Sequence, residues 1–171
     1  MNSTREVQLW LLRHAHAGDP MKWSGPDDIR PLSDKGRLQA ERVGRLLAGS
    51  NMRPDAILSS PKLRALETAR LAAVELGMSV RVVDELGGPL NLAAVDALLR
   101  AAGDPLRPLL VGHDPDFSTL AAELAGVADL PVRKATLVRI DATRPLEPGS
   151  GILRWLVPPD LISSDGRGGE D

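Results

Sequence analysis

The chain has 171 residues, 43% of them hydrophobic, which suits a single domain with a sizeable core. Its 21 basic and 23 acidic residues nearly cancel, so no global field draws it to nucleic acid or to an anionic membrane, and any anion site must be built locally. One Phe, three Trp and no Tyr leave no aromatic series for stacking bases, while the absence of cysteine excludes disulfides, thiolate metal sites and cysteine nucleophiles.

Met1 to Glu6 is polar, and the apolar stretch after it is about one strand long, short of the ~18 residues a membrane helix needs. Neither a signal peptide nor an anchor is expected, and a cytoplasmic protein without membrane or nucleic-acid partners is. Val7 to Leu12 is a nearly continuous apolar run, the pattern of a strand buried on both faces of a parallel sheet. It ends in Arg13 and His14: a guanidinium fork suited to a phosphoryl group beside an imidazole nitrogen able to attack phosphorus.

About eighteen residues, Ala15 to Leu32, then form a connection long enough to be functional. Ser33 opens a helix with Ala40, Val43, Leu46 and Leu47 at helical spacing and Gly49 as its stop. A strand at Asp55 to Leu58 leads into Ser60-Pro61, read as N-cap and first helical residue before Leu63, Leu66, Ala69 and Ala73, with Gly77 closing the helix. Further strands follow at Val80 to Val83 and Pro108 to Val111. Asp114-Pro115 repeats the capping device before a helix ending at Gly126, and strands at Thr136 to Ile140 and Ile152 to Val157 complete the pattern.

This alternation predicts an α/β fold, a three-layer sandwich with a mainly parallel central sheet, an antiparallel edge strand and helices on both faces. One domain over 1–171 is expected, ordered over about 7–160, with the polar, Gly-rich 163–171 a flexible tail. In a parallel sheet the ends of the first, second and fourth strands share one rim, where helix N-termini also point. That rim would gather Arg13, His14, Arg64 and His113, provided the sheet order does not separate the three strands.

The segments Leu12-Arg13-His14-Ala15-His16-Ala17, Asp27-Asp28-Ile29-Arg30-Pro31-Leu32-Ser33 with Gly36, Leu58-Ser59-Ser60-Pro61 with Arg64-Ala65 and Thr68-Ala69, and Val111-Gly112-His113-Asp114-Pro115 stand in one order over most of the chain. Together they resemble the histidine phosphatase (phosphoglycerate mutase-like) superfamily, most closely its short SixA-type branch of phosphohistidine phosphatases. The resemblance implies a hydrolase needing no metal or cofactor, with His14 as the nucleophile that becomes phosphorylated and Arg13, Arg64 and His113 around the phosphoryl group. Nearby guanidinium groups should lower the His14 pKa and keep one nitrogen free. A proton donor of the larger relatives would fall near Glu85, although Gly87-Gly88-Pro89 departs from their pattern, and Asp27 and Asp28 compete for that role.

Several residues carry two readings. His14-Ala15-His16 has metal-ligand types but no evident third ligand. Arg30 either reaches the phosphate rim as a substrate-binding residue, with Asp27, or pairs with Asp27 or Asp28. Trp23 lines the entrance or pins its loop. Lys134 reads as an exposed cation, Asp114 as a helix cap, and Asp116 as a charge at the pocket mouth. The expected function is removal of phosphate from phosphohistidine in a signalling protein by a monomer; the alternatives are a phosphatase for small phosphomonoesters, such as a sugar phosphate or cofactor precursor, and a noncatalytic phosphoprotein-binding module.

Overall fold

The computed structural model describes residues 4–51 and 53–162; the tail expected at 163–171 lies outside the described residues. Six strands form one sheet: β1 (Arg5–Arg13), β2 (Ala56–Ser59), β3 (Arg81–Val82), β4 (Pro108–Gly112), β5 (Leu137–Arg144) and β6 (Gly151–Val157). Four helices, α1 (Asp34–Gly49), α2 (Leu63–Leu76), α3 (Leu92–Ala101) and α4 (Asp116–Ala125), connect them. The sheet order is β3-β2-β4-β1-β5-β6, with β3, β2, β4 and β1 mutually parallel. β5 runs antiparallel to β1, and β6 antiparallel to β5, so the one reversed strand lies inside the sheet and β6 forms its edge.

Alternation along β1 explains the three layers. Leu9 and Leu11 point into a core shared with Val95 and Leu99 of α3 and Phe117, Leu120 and Leu124 of α4. Trp10 and Leu12 point the other way, onto Val43 and Leu47 of α1 and Ala65, Ala69 and Ala73 of α2. Each such buried aliphatic side chain stabilises the fold by about 1.5–3 kcal/mol, and a strand supplying both faces cannot slip register without exposing both.

α2 and α4 end on Gly77 and Gly126, both left-handed as helix stops usually are (φ 64° and 69°). Gly49 instead lies within α1, and Ser50 terminates that helix. The caps of α2 and α4 also differ from expectation. α2 begins at Leu63 with Lys62 as its cap, because the Ser60 hydroxyl is engaged elsewhere, and α4 begins at Asp116 with Pro115 as its cap. β5 runs four residues past its apolar start, since its polar side chains are paired: Arg139 is held by Asp141 and lies 5.5 Å from the Trp10 ring centroid. Among the described residues, no helix is long and apolar enough to cross a membrane.

Candidate active site

The sheet order brings β2, β4 and β1 side by side, so their carboxyl ends form one continuous rim. Register fixes the details: Arg13 stands opposite Gly112, and Ser59 opposite Val111. Just past the strand ends, the His14 amide donates to the Gly112 carbonyl at 2.9 Å and the Ser60 amide to the Val111 carbonyl at 3.0 Å. His14, His113 and Ser60 therefore leave three neighbouring strands at the same level.

His14 is 5% exposed, and its Nδ1 donates to the Ala15 carbonyl at 2.8 Å. A carbonyl only accepts, so Nδ1 carries the proton and Nε2 retains its lone pair. Burial pushes the pKa down to about 3, with His113, Arg64 and Arg13 pushing in the same direction against the Ala15 hydrogen bond. Desolvation thus outweighs the guanidinium charges as the cause.

His113 lies with its ring centroid 5.3 Å from that of His14, tilted by 51°. Its Nε2 shares a hydrogen bond with the Ser60 hydroxyl at 2.7 Å, and its pKa is likewise lowered to about 3, first by burial and then by Arg64 and Lys62. Ser60 also accepts the Lys62 amide at 3.2 Å. The residue read as a helix cap is therefore a tether for the second histidine.

Arg13 and Arg64 reach the rim from different elements. Arg13 Nη1 donates to Asp114 Oδ2 at 3.1 Å and to the Val132 carbonyl at 2.9 Å. Asp114 also accepts from the Ser118 amide and hydroxyl, so it is fixed to the first turn of α4 and aims Arg13. Arg64, 7% exposed, donates Nη1 to the Asp27 carbonyl at 2.9 Å and pairs through Nη2 with the Asp27 carboxylate at 3.0 Å. Arg13 Nε, Arg64 Nε and His113 Nδ1 are buried without a hydrogen-bond partner. Three unpartnered ring or guanidinium nitrogens thus gather at one rim, each a buried polar group that protein atoms leave unsatisfied.

The long loop after β1 is fastened to the site. Thr68 of α2 accepts the Ala15 amide at 3.0 Å and donates to the Arg64 carbonyl at 2.7 Å, cross-tying the strand that ends at His14 to the helix that carries Arg64. Gly36 passes so close to the loop that a Cβ there would sit 2.0 Å from the His16 carbonyl oxygen. Arg30 takes the pairing alternative: it is buried, with Nε on Asp27 Oδ1 at 3.0 Å and Nη1 on the Ala17 carbonyl at 2.6 Å. Asp27 thus bridges Arg30 and Arg64, and both arginines help hold its carboxyl below the usual range.

Other expected residues separate from this centre. His16 Nδ1 is hydrogen-bonded to the Ser33 hydroxyl at 2.6 Å, and among the described residues no group of three His, Asp or Glu side chains is placed to hold a metal ion. Trp23 donates to the Pro26 carbonyl and packs on Gly25, pinning its own loop. Asp28 is exposed, 3.7 Å from the Lys62 ammonium, and Asp116 opens α4 half-buried. Glu85 is exposed on a 3-10 turn (Asp84–Gly87) whose Gly87 lies against Ser60 and Pro61. Lys134, expected to be exposed, is instead half-buried, because its backbone turn packs behind Arg13 and His14, whose carbonyls accept the Ala135 amide.

Known proteins resemble the chain in sequence and in fold. The model of the histidine phosphatase superfamily (branch 1) matches residues 9–87. An uncharacterised protein of Picosynechococcus sp. is 35% identical over 122 residues, 70% of this chain and 73% of that one. The phosphohistidine phosphatase SixA of Escherichia coli is 27% identical over 157 residues, 90% of this chain and 94% of its own. The structure of the protein histidine phosphatase SixA complexed with tungstate superposes with a TM-score of 0.79 at 24% identity, covering 92% of this chain and all (100%) of that one. With its mixed α/β sheet and its strand-end histidines, the chain belongs to the histidine phosphatase superfamily.

Proposed function

We propose that the protein is a phosphatase working through a phosphohistidine intermediate on His14, and that its substrate is phosphohistidine in a signalling protein. The observation that carries this reading is the state of His14: buried, neutral and with its proton committed to the Ala15 carbonyl, so that Nε2 is the nucleophile. In the first step Nε2 forms a bond to phosphorus as the bond to the leaving group breaks. In the second, water forms the new P–O bond, the P–N bond breaks, and His14 returns to its neutral form. Arg13, Arg64 and His113 stabilise the charge on the phosphoryl oxygens, the largest contribution in such transfers.

The sequence likeness to SixA supports the phosphohistidine substrate. A leaving imidazole also departs more readily than an alkoxide and makes less demand on a proton donor. A second reading, hydrolysis of small phosphomonoesters, is favoured by Glu85, an exposed carboxyl on the turn beside Ser60. Glu85→Gln separates the two: it abolishes ester hydrolysis and spares phosphoramidate cleavage if Glu85 is the ester's proton donor.

Brief incubation with a generic phosphoester is expected to yield an acid-labile, alkali-stable phosphoenzyme that His14→Ala does not form. Active protein without that adduct refutes the mechanism, and absence of turnover on every phosphorylated substrate leaves a binding module. The reading includes independence from divalent metal, so hydrolysis is expected to survive thorough chelation.

A further inference from the structure

Beside the phosphoryl site lies a second cavity of about 310 Å³, near the lower end of the roughly 300–1,000 Å³ usual for small-ligand sites. Arg13 forms one wall, and Lys35, Arg133, Lys134, His16 and Asp160 line much of the rest. His14, Arg64 and His113 are not among its lining residues, so Arg13 is the rim residue that the cavity shares with them.

Positive charge exceeds negative in this cavity. Arg13 is paired with Asp114, but among the described residues Lys35, Arg133 and Lys134 make no ion pair and Asp160 is the one lining carboxylate. A larger cavity at the opposite end of the sheet, about 780 Å³, offers a contrast: its Arg5 is paired with Asp104 and its Arg154 with Asp141. In the smaller cavity the cations crowd one another. Lys134 is held below the ordinary lysine range by burial and by Arg13, Arg30 and Arg64, against a weaker pull from Asp19. His16 is held down by burial and by Lys134 and Lys35, which keeps the lining's positive charge on the lysines and arginines. An excess of like charges at the mouth of a site favours an anionic ligand there.

We propose that this cavity binds a second anionic group, a carboxylate or a phosphate, carried on the leaving group of the substrate whose phosphoryl group is attacked by His14. This deepens and rests on the phosphatase reading. The substrate would straddle Arg13, its reacting phosphoryl group on the His14 side and its second anion against Lys134 and Arg133. Lys134 and Arg133 thereby determine specificity and leave the chemistry to the residues on the His14 side.

The test compares 4-carboxyphenyl phosphate and its 3-carboxy isomer with the neutral 4-carbamoylphenyl phosphate in wild type, Lys134→Gln, Arg133→Gln and the double variant. The charged-to-neutral ratio of kcat/KM cancels any general loss of activity. It is expected to fall about tenfold in the double variant, and in wild type to fall as salt is raised, because salt screens half-exposed charges. Histidine-phosphorylated peptides bearing Glu or Gln near the phosphohistidine form a parallel arm: a Glu preference lost in the double variant assigns the anion to a protein substrate, and a preference confined to the small esters assigns it to a small molecule. Calorimetric binding of the matching carboxylated and carbamoylated benzylphosphonates reads the same preference without turnover. Ratios unchanged between wild type and double variant, with hydrolysis intact, overturn the subsite and leave the phosphatase reading. Charge-selective phosphonate binding that the double variant loses, in a protein that hydrolyses nothing, upholds the subsite and overturns the phosphatase reading.

Discussion

Replacing Ser60 with Ala removes one hydroxyl and tests how the second histidine is held. The lost contact is the 2.7 Å bond to His113 Nε2; the ring's other nitrogen, Nδ1, is already buried without a partner. The variant therefore leaves a half-buried imidazole with neither nitrogen bonded to protein, free to rotate away from its place 5.3 Å from His14. An orphaned buried polar group costs about 1–3 kcal/mol. If about 1–2 kcal/mol of that is expressed in the transition state, kcat falls roughly five- to thirty-fold. The Lys62 amide loses its 3.2 Å acceptor too, but it begins a helix and turns to water. The assay is steady-state hydrolysis of a generic phosphoester from pH 5 to 9, with the His113 ring titrated by NMR from neutral pH down through its pKa of about 3. A fall in kcat with KM little changed and an altered His113 titration is the expected result, with recovery in Ser60→Thr. A folded Ser60→Ala protein with kcat within twofold of wild type and an unmoved His113 titration refutes the tether.

Three further outcomes follow from the geometry. Both site histidines are held neutral with pKa about 3, against 6.5 in the unfolded chain, so the unfolded state binds more protons between those values: their contribution to stability is complete above about pH 6.5 and is lost as pH falls toward 3, a slope that His14→Asn should flatten in urea titrations. Far from the site, Asp96→Ala strips one of two 2.7 Å carboxylate partners from buried Arg144, which keeps Asp104, and should cost about 1–3 kcal/mol by chemical denaturation while kcat of the folded protein is kept. Gly36→Ala forces a methyl onto the His16 carbonyl and should destabilise by about 1–3 kcal/mol and lower kcat, measured by thermal unfolding alongside turnover.

Much of this arrangement was legible in the chain itself. Buried strands such as Val7 to Leu12 announce themselves because both faces are apolar, and a strand ending in Arg13-His14 declares where its polar groups emerge. Gly77 and Gly126 were legible because left-handed backbone favours few residues. What local pattern did not reveal depends on partners distant in sequence. Ser60 and Asp114 look like helix caps, yet their side chains serve His113 and Arg13, 53 and 101 positions away. α3 is hidden from local pattern, since Asn91, its side-chain cap, follows a Gly- and Pro-rich stretch that reads as loop. The reversal of β5 inside the sheet, with β6 outside it, was open because the absence of an intervening helix says only that two neighbours are antiparallel. Lys134 looked exposed because a lone lysine before a strand carries no sign of the turn that folds it behind Arg13.

The bond from His14 Nδ1 to the Ala15 carbonyl has an evolutionary corollary. Its acceptor belongs to the main chain, so no side-chain replacement deletes it, and the choice of which nitrogen keeps a free lone pair is written into the path of the backbone. Loops, cations and proton donors around the rim can be exchanged while every descendant that keeps this strand ending inherits the same free nitrogen.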